Sequence, residues 1–203
     1  MKQAGNAFGR PDLSTARVNK RLTHPTPLSL KPDTAECWQM AVLGHGMQVR
    51  AGAGVGSMQF KIVTAAAHTY DMMLGLVSAE ANVVDDRHPG KSGAAIGAGW
   101  TGDGSVKCTL PEHLSTCGIT VRFDKPGDRV MLVLDCREKQ RPTVRILIDG
   151  APALIAVLGP VPATNAQIIL CPAIALKGNR YVQGCVELEP DAPLPPGWDG
   201  TPS

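Results

Sequence analysis

The sequence predicts an all-β protein, an antiparallel two-sheet β-sandwich, and three observations predict it. Between Thr120 and Leu158 the apolar runs TVRF, RVMLVLD, TVRILI and PALIAVLG are short and rich in β-branched residues. Lys125-Pro126-Gly127-Asp128, the stretch from Cys136 to Pro142, and Asp149-Gly150 separate them, which is the pattern of strands joined by tight connections. The 22 glycines and 17 prolines suit many short strands linked by turns. No segment has a convincing helical pattern. The nearest, residues 64–76, is Ala-rich enough for a helix and competes with a strand-turn-strand reading.

In chain order, strands are expected at residues 37–43, 47–51, 58–65, 72–78, 95–100, 105–109, 119–123, 129–135, 143–148, 153–158, 168–176 and 181–189. Several alternate as a half-buried strand must: Ile119, Val121 and Phe123 against Thr120 and Arg122, and Val186 and Leu188 against Glu187 and Glu189. Asp149-Gly150 marks a hairpin tip, because both central residues of that turn need positive φ. Gly52-Ala53-Gly54-Val55-Gly56-Ser57 is glycine-rich but runs into another strand, whereas a phosphate-binding loop must open a helix. It is therefore read as a turn or an edge bulge. Residues 1–35 are expected to form an extended basic arm, residues 36–189 the sandwich, and residues 190–203 a Pro/Gly-rich acidic tail.

At 203 residues, 43% of them hydrophobic, the chain suits one packed domain with tails. Aromatics make up only 4%, so the core must be filled by Val, Ile, Leu, Ala and Met. The net charge of +2 conceals a polarity: Lys2, Arg10, Arg17, Lys20, Arg21 and Lys31 stand against Asp12 near the start, while Glu187, Glu189, Asp191 and Asp199 stand without a base near the end. No apolar run reaches the roughly 18–20 residues of a membrane span. The opening MKQAGNAFGR has no hydrophobic core of a secretory signal, so an intracellular protein is expected, cytoplasmic or nuclear. A mitochondrial presequence is the alternative; it is acid-poor as required, but Gly5, Gly9 and Pro11 interrupt a continuous amphipathic helix. The six cysteines read as reduced, mostly buried small hydrophobes.

Catalytic machinery is not visible. His24, His45, His68, His88 and His113 are isolated, no C-x-x-C or G-x-S-x-G occurs, and Asp103, Asp128 and Asp135 sit beside glycines or at strand ends, where Asp is turn chemistry. No metal, cofactor or catalytic residue is expected. Residues 85–92 fall one glycine short of a phosphate loop, since Asp85 occupies the first glycine position and its charge would repel a triphosphate.

Gly127-Asp128-Arg129-Val130, Leu134-Asp135 and Ile146-Leu147-Ile148-Asp149-Gly150 resemble the signature series of SPRY domains. Leu74-Gly75-Leu76-Val77-Ser78, Gly99-Trp100-Thr101-Gly102-Asp103-Gly104 and Leu170-Cys171-Pro172-Ala173-Ile174-Ala175-Leu176 match further segments of that family in the right order. The resemblance covers residues 37–189. It departs where Asp149 replaces Asn, where Cys171 replaces an aromatic, and where Ser57–Val63 lacks the usual aromatic cluster.

The resemblance implies a concanavalin-like sandwich of jelly-roll type that docks a peptide or loop of another protein on inter-sheet loops near residues 31–36, 79–92 and 177–181. It carries over Asp85, Arg87 and His88 from one loop, and Lys177, Gly178, Asn179, Arg180 and Tyr181 from another, as partner-binding residues. As sequence alone, the first stretch is also a plain solvated loop and the second a plain hairpin turn. Trp100 is an anchor if half-exposed and the largest core filler if buried. A non-enzymatic adaptor or subunit of a larger complex is thus expected. Two alternatives stand beside it: a ribonucleoprotein subunit with its basic arm on RNA, and a lectin-like carbohydrate binder.

Overall fold

The computed structural model describes residues 6–10, 12–49, 52–91, 97–109, 115–117, 122–137, 142–157 and 168–194. Among them the strands are β1 (Arg17–Val18), β2 (Ser29–Leu30), β3 (Trp38–Val42), β4 (Met47–Gln48), β5 (Val55–Thr64), β6 (Met72–Ser78), β7 (Gly97–Thr101), β8 (Val106–Cys108), β9 (Ser115–Cys117), β10 (Arg129–Asp135), β11 (Thr143–Ile148), β12 (Ala151–Val157), β13 (Ile169–Lys177) and β14 (Cys185–Leu188). They form two seven-stranded antiparallel sheets. One runs β1-β3-β13-β6-β7-β8, with β4 also on β13, and the other runs β2-β14-β5-β10-β11-β12-β9. No helix among the described residues is long and apolar enough to cross a membrane.

Alternation decides which side chains meet between the sheets. From the first sheet come Ala41, Leu74, Leu76, Trp100, Ile174 and Leu176; from the second come Met58, Phe60, Ile62, Leu132, Leu134, Ile146 and Val186, all in one buried cluster. At the β11–β12 tip Asp149 has φ 50° and Gly150 φ 82°, the double positive φ that Asp-Gly supplies. Residues 64–72 resolve as strand, a single 3-10 turn over Thr69–Asp71, and strand, so the alanine run forms no α-helix. β9 was not foreseen; most of the strand expected at 119–123, and the first residues of that expected at 95–100, lie outside the described residues.

The expected extended arm is part of the folded body. Phe8, Leu22 and Leu30 are buried in the main core, β1 extends the first sheet and β2 the second. Ala7 N donates to Val55 O, and the Asn6 side chain both accepts from Ser57 N and donates to Ser57 O, so residues 6–7 take up the first half of β5 where β14 does not reach it. Gly56 admits the Phe8 ring, since a Cβ there would lie 2.8 Å from it. This is the reason for one glycine of the 52–57 run. Composition misled here because the basic residues face outward from a segment whose apolar members are long-range contacts.

The outer face of the first sheet is also apolar. Met40, Val42, Met73, Val77, Cys171, Ala173 and Ala175 form a second buried cluster with Ala81. A strap, residues 79–91, crosses this face. Small residues let it approach: a Cβ on Gly75 would meet Pro89 Cβ at 2.6 Å, and one on Gly99 would meet Pro89 O at 2.8 Å. On the opposite outer face Ala192 and Leu194 pack against Val55, Met131, Val133 and Leu147. Arg10 Nη2 reaches Asp191 Oδ2 at 2.9 Å beside them.

Candidate functional site

The start of β3 and the end of β13 lie side by side, with Lys177 opposite Trp38. Just beyond, Gly178 N donates to Cys37 O at 3.0 Å, and any Cβ on Gly178 would run into Ala35 O and stand 2.6 Å from Asp33 O. Residues 33–37 and 177–181 are thereby locked in backbone contact. Asn179 Oδ1 accepts from Tyr181 N at 2.8 Å and Val182 N at 3.2 Å, a local side-chain turn. That turn holds Tyr181 outward, 79% exposed. Arg180 lies with its guanidinium carbon 5.2 Å from the Tyr181 ring centre and its Nε 3.3 Å from Glu36 Oε1.

Lys177 points the other way, its Nζ 3.8 Å from Asp71 Oδ1 and 6.0 Å from the centre of the Tyr70 ring. His68 stacks on Tyr70 at 5.1 Å. Burial pushes the Asp71 carboxyl up, with Lys177 and then His68 pulling it partly back. Next to this turn opens a cavity of about 100 Å³ lined by residues 65–69, Met72, Phe123 and Asp124.

The strap forms the third side. Asp86 N donates to Trp38 O at 2.8 Å, and the His88 ring meets Trp38 at 5.1 Å. His88 Nδ1 donates to Pro89 O at 2.9 Å, while burial holds the imidazole below its ordinary range. Asp85 accepts from Arg21 Nε at 2.8 Å and Asn19 Nδ2 at 3.1 Å; the same two groups, Arg21 first, keep its carboxyl below the usual range. Arg21 Nη1 also reaches Asp33 at 3.0 Å. Arg21 therefore ties the N-terminal segment, the 33–37 loop and the strap together.

Of the residues singled out from sequence, Asp85, His88 and Lys177–Tyr181 come together around Trp38 on one rim. Asp85 is engaged in holding the strap, and Arg87 is half-buried on it. Trp100 does not join them: at 1% exposure it fills the core, on β7 opposite Leu74. Sequence reasoning missed Trp38, Tyr70, His68, Glu36 and Arg21. Trp38 and Tyr70 had one signal, being aromatics at strand boundaries in a chain with few of them. Among the described residues no three His, Cys, Asp or Glu side chains group as metal ligands would.

No family model and no curated protein matches the chain. Among solved structures it is similar to the SPRY domain of human HERC1, at 14% identity and a TM-score of 0.58 over 91% of this chain and 99% of that one. It is also similar to the lectin UEA-II complexed with galactose, at 12% identity and a TM-score of 0.51 over 90% and 94%. A third is lectin I-B4 from Griffonia simplicifolia in its metal-free form, at 9% identity and a TM-score of 0.50 over 87% and 92%. Such low identities speak to fold alone. The chain has the fold of a SPRY domain, a two-sheet architecture shared with these lectins.

Proposed function

We propose that this chain is a non-enzymatic interaction module, an adaptor or complex subunit, that docks a peptide or loop of a partner protein on the rim formed by residues 31–36, 79–91 and 177–181. The observation that carries the reading is Tyr181, held almost fully in solvent by the Asn179 turn with Arg180 against its ring. Tyrosine and arginine dominate interface energetics, and rigid presentation lowers the entropy lost on binding. The rim residues sit on strand ends and backbone-locked loops, so the surface is preformed. Arg87, Lys177 and Arg180 changed together to Glu should abolish recovery of the native partner in a pull-down. Undiminished recovery by the triple variant would remove the rim from contention.

The basic N-terminal segment supports an RNA role less well, because Arg17 donates to Ala81 O, Arg21 to Asp85 and Asp33, and Arg10 to Asp191. A sugar-binding reading draws on the exposed tyrosines, which would offer a stacking platform. A glycan array carrying the intact chain separates it from peptide docking.

A further inference from the structure

Beside the rim, the cavity under the 65–69 turn has an unusual combination of size and lining. At about 100 Å³ it falls well short of the roughly 300 Å³ at which pockets for small-molecule ligands begin. Three alanines, Met72 and Phe123 make most of its lining apolar, beside His68, Thr69 and Asp124, with room for one aliphatic side chain. It is continuous with the rim on two flanks. His68 lines it and stacks on Tyr70, whose ring faces Lys177. Gly184 lies against Ala66, which brings the 181–184 segment to the other flank. Of the large apolar side chains left in solvent, Tyr70 at 47%, Tyr181 at 79% and Val182 at 44% fall within this stretch.

The two cations beside these tyrosines are weakly satisfied. Lys177 Nζ is 3.8 Å from the Asp71 carboxylate, beyond hydrogen-bond range, and Asp71 itself is buried and inaccessible to a ligand. Arg180 meets Glu36 at 3.3 Å with both side chains mostly exposed, a pairing that yields readily to a better acceptor. We propose that the occupant of this surface is an extended segment of a partner protein bearing an aliphatic residue next to carboxylates. The aliphatic side chain enters the cavity, the carboxylates meet Lys177 and Arg180, and the segment's backbone crosses Tyr70 and Tyr181. This rests on the reading of the rim as a protein-docking surface and adds the partner's chemistry.

The test is selection of displayed random dodecapeptides on the intact chain, followed by affinity measurement of a selected peptide. The pool should be enriched in Leu, Ile or Val adjacent to Asp or Glu, with binding that weakens as salt rises. Affinity should fall roughly tenfold or more in Ala67→Phe, which fills the cavity, in Tyr70→Ala, and in Lys177→Glu with Arg180→Glu. Tyr70 is exposed, so its variant reads the surface even if Ala67→Phe does not fold. A pool rich in Lys and Arg, or one whose binding Tyr70→Ala and a folded Ala67→Phe leave unchanged, overturns this inference while leaving the rim reading intact if Tyr181→Ala still abolishes binding. A library that yields no binder overturns both.

Discussion

Gly178 shows how one absent side chain sets a surface. Its backbone lies where a Cβ would collide with the Ala35 carbonyl, so Gly178→Ala must separate the 33–37 and 177–181 loops. The expected cost is about 1–3 kcal/mol in chemical denaturation, and a neutral result would show that the loops are not locked. Asp71 makes an opposite prediction. A carboxyl whose folded pKa is raised gives full stability below its unfolded value and loses it as pH climbs through the folded one. Asp71→Asn should therefore raise the melting temperature at neutral pH, with the gain vanishing below the ordinary carboxyl value of 3.8. A lower melting temperature at neutral pH would mean that the Lys177 pair outweighs burial. At this scale the sequence revealed what is local. Asp149-Gly150 was legible because its φ requirement is its own, whereas Trp100 was not, because nothing in its neighbours in sequence says which side of a strand faces the core.

The strap is the element on which the rim depends. Pro89 rests on Gly75 and Gly99, Asp86 bonds Trp38, and Arg21 holds Asp85. A methyl at Gly99 would press on Pro89 and on the flexible end of Met73 rather than on a neighbouring strand's backbone, so Gly99→Ala is expected to speed hydrogen exchange selectively over residues 79–91. Uniform acceleration across both sheets would instead mean that the strap and sandwich open as one unit. A clue to the strap was present in the sequence and unread. The β6 run MMLGLVS is apolar at nearly every position, and its first six residues are buried; such a strand must be covered on both faces. What no local pattern supplies is the identity of the cover, because residues 79–91 carry the charges and turns of an ordinary exposed loop. The strands of the second sheet were easier: β10 and β11 occur at the residues expected from their β-branched runs and bounding turns.

For the whole molecule, the N-terminal segment is the largest departure from expectation. A charged, proline-broken stretch looks like a solvated arm, yet Phe8, Leu22 and Leu30 close the core and two short strands complete the sheets. Truncating one buried Phe to Ala costs about 3–5 kcal/mol, a large share of the roughly 5–15 kcal/mol that stabilises a domain. Deletion of residues 1–35 should accordingly abolish cooperative unfolding by circular dichroism; a truncated chain that still melts sharply would return the segment to the status of an arm. Sandwich architecture was readable from spacing and turns, while the joining of Arg10 to Asp191 was not, being a matter of tertiary placement. That joining has a practical corollary. With Arg10 and Asp191 bridged, the segments around residues 10 and 191 meet on one flank of the fold, so a cross-link engineered at that meeting point would staple the first described segment to the last.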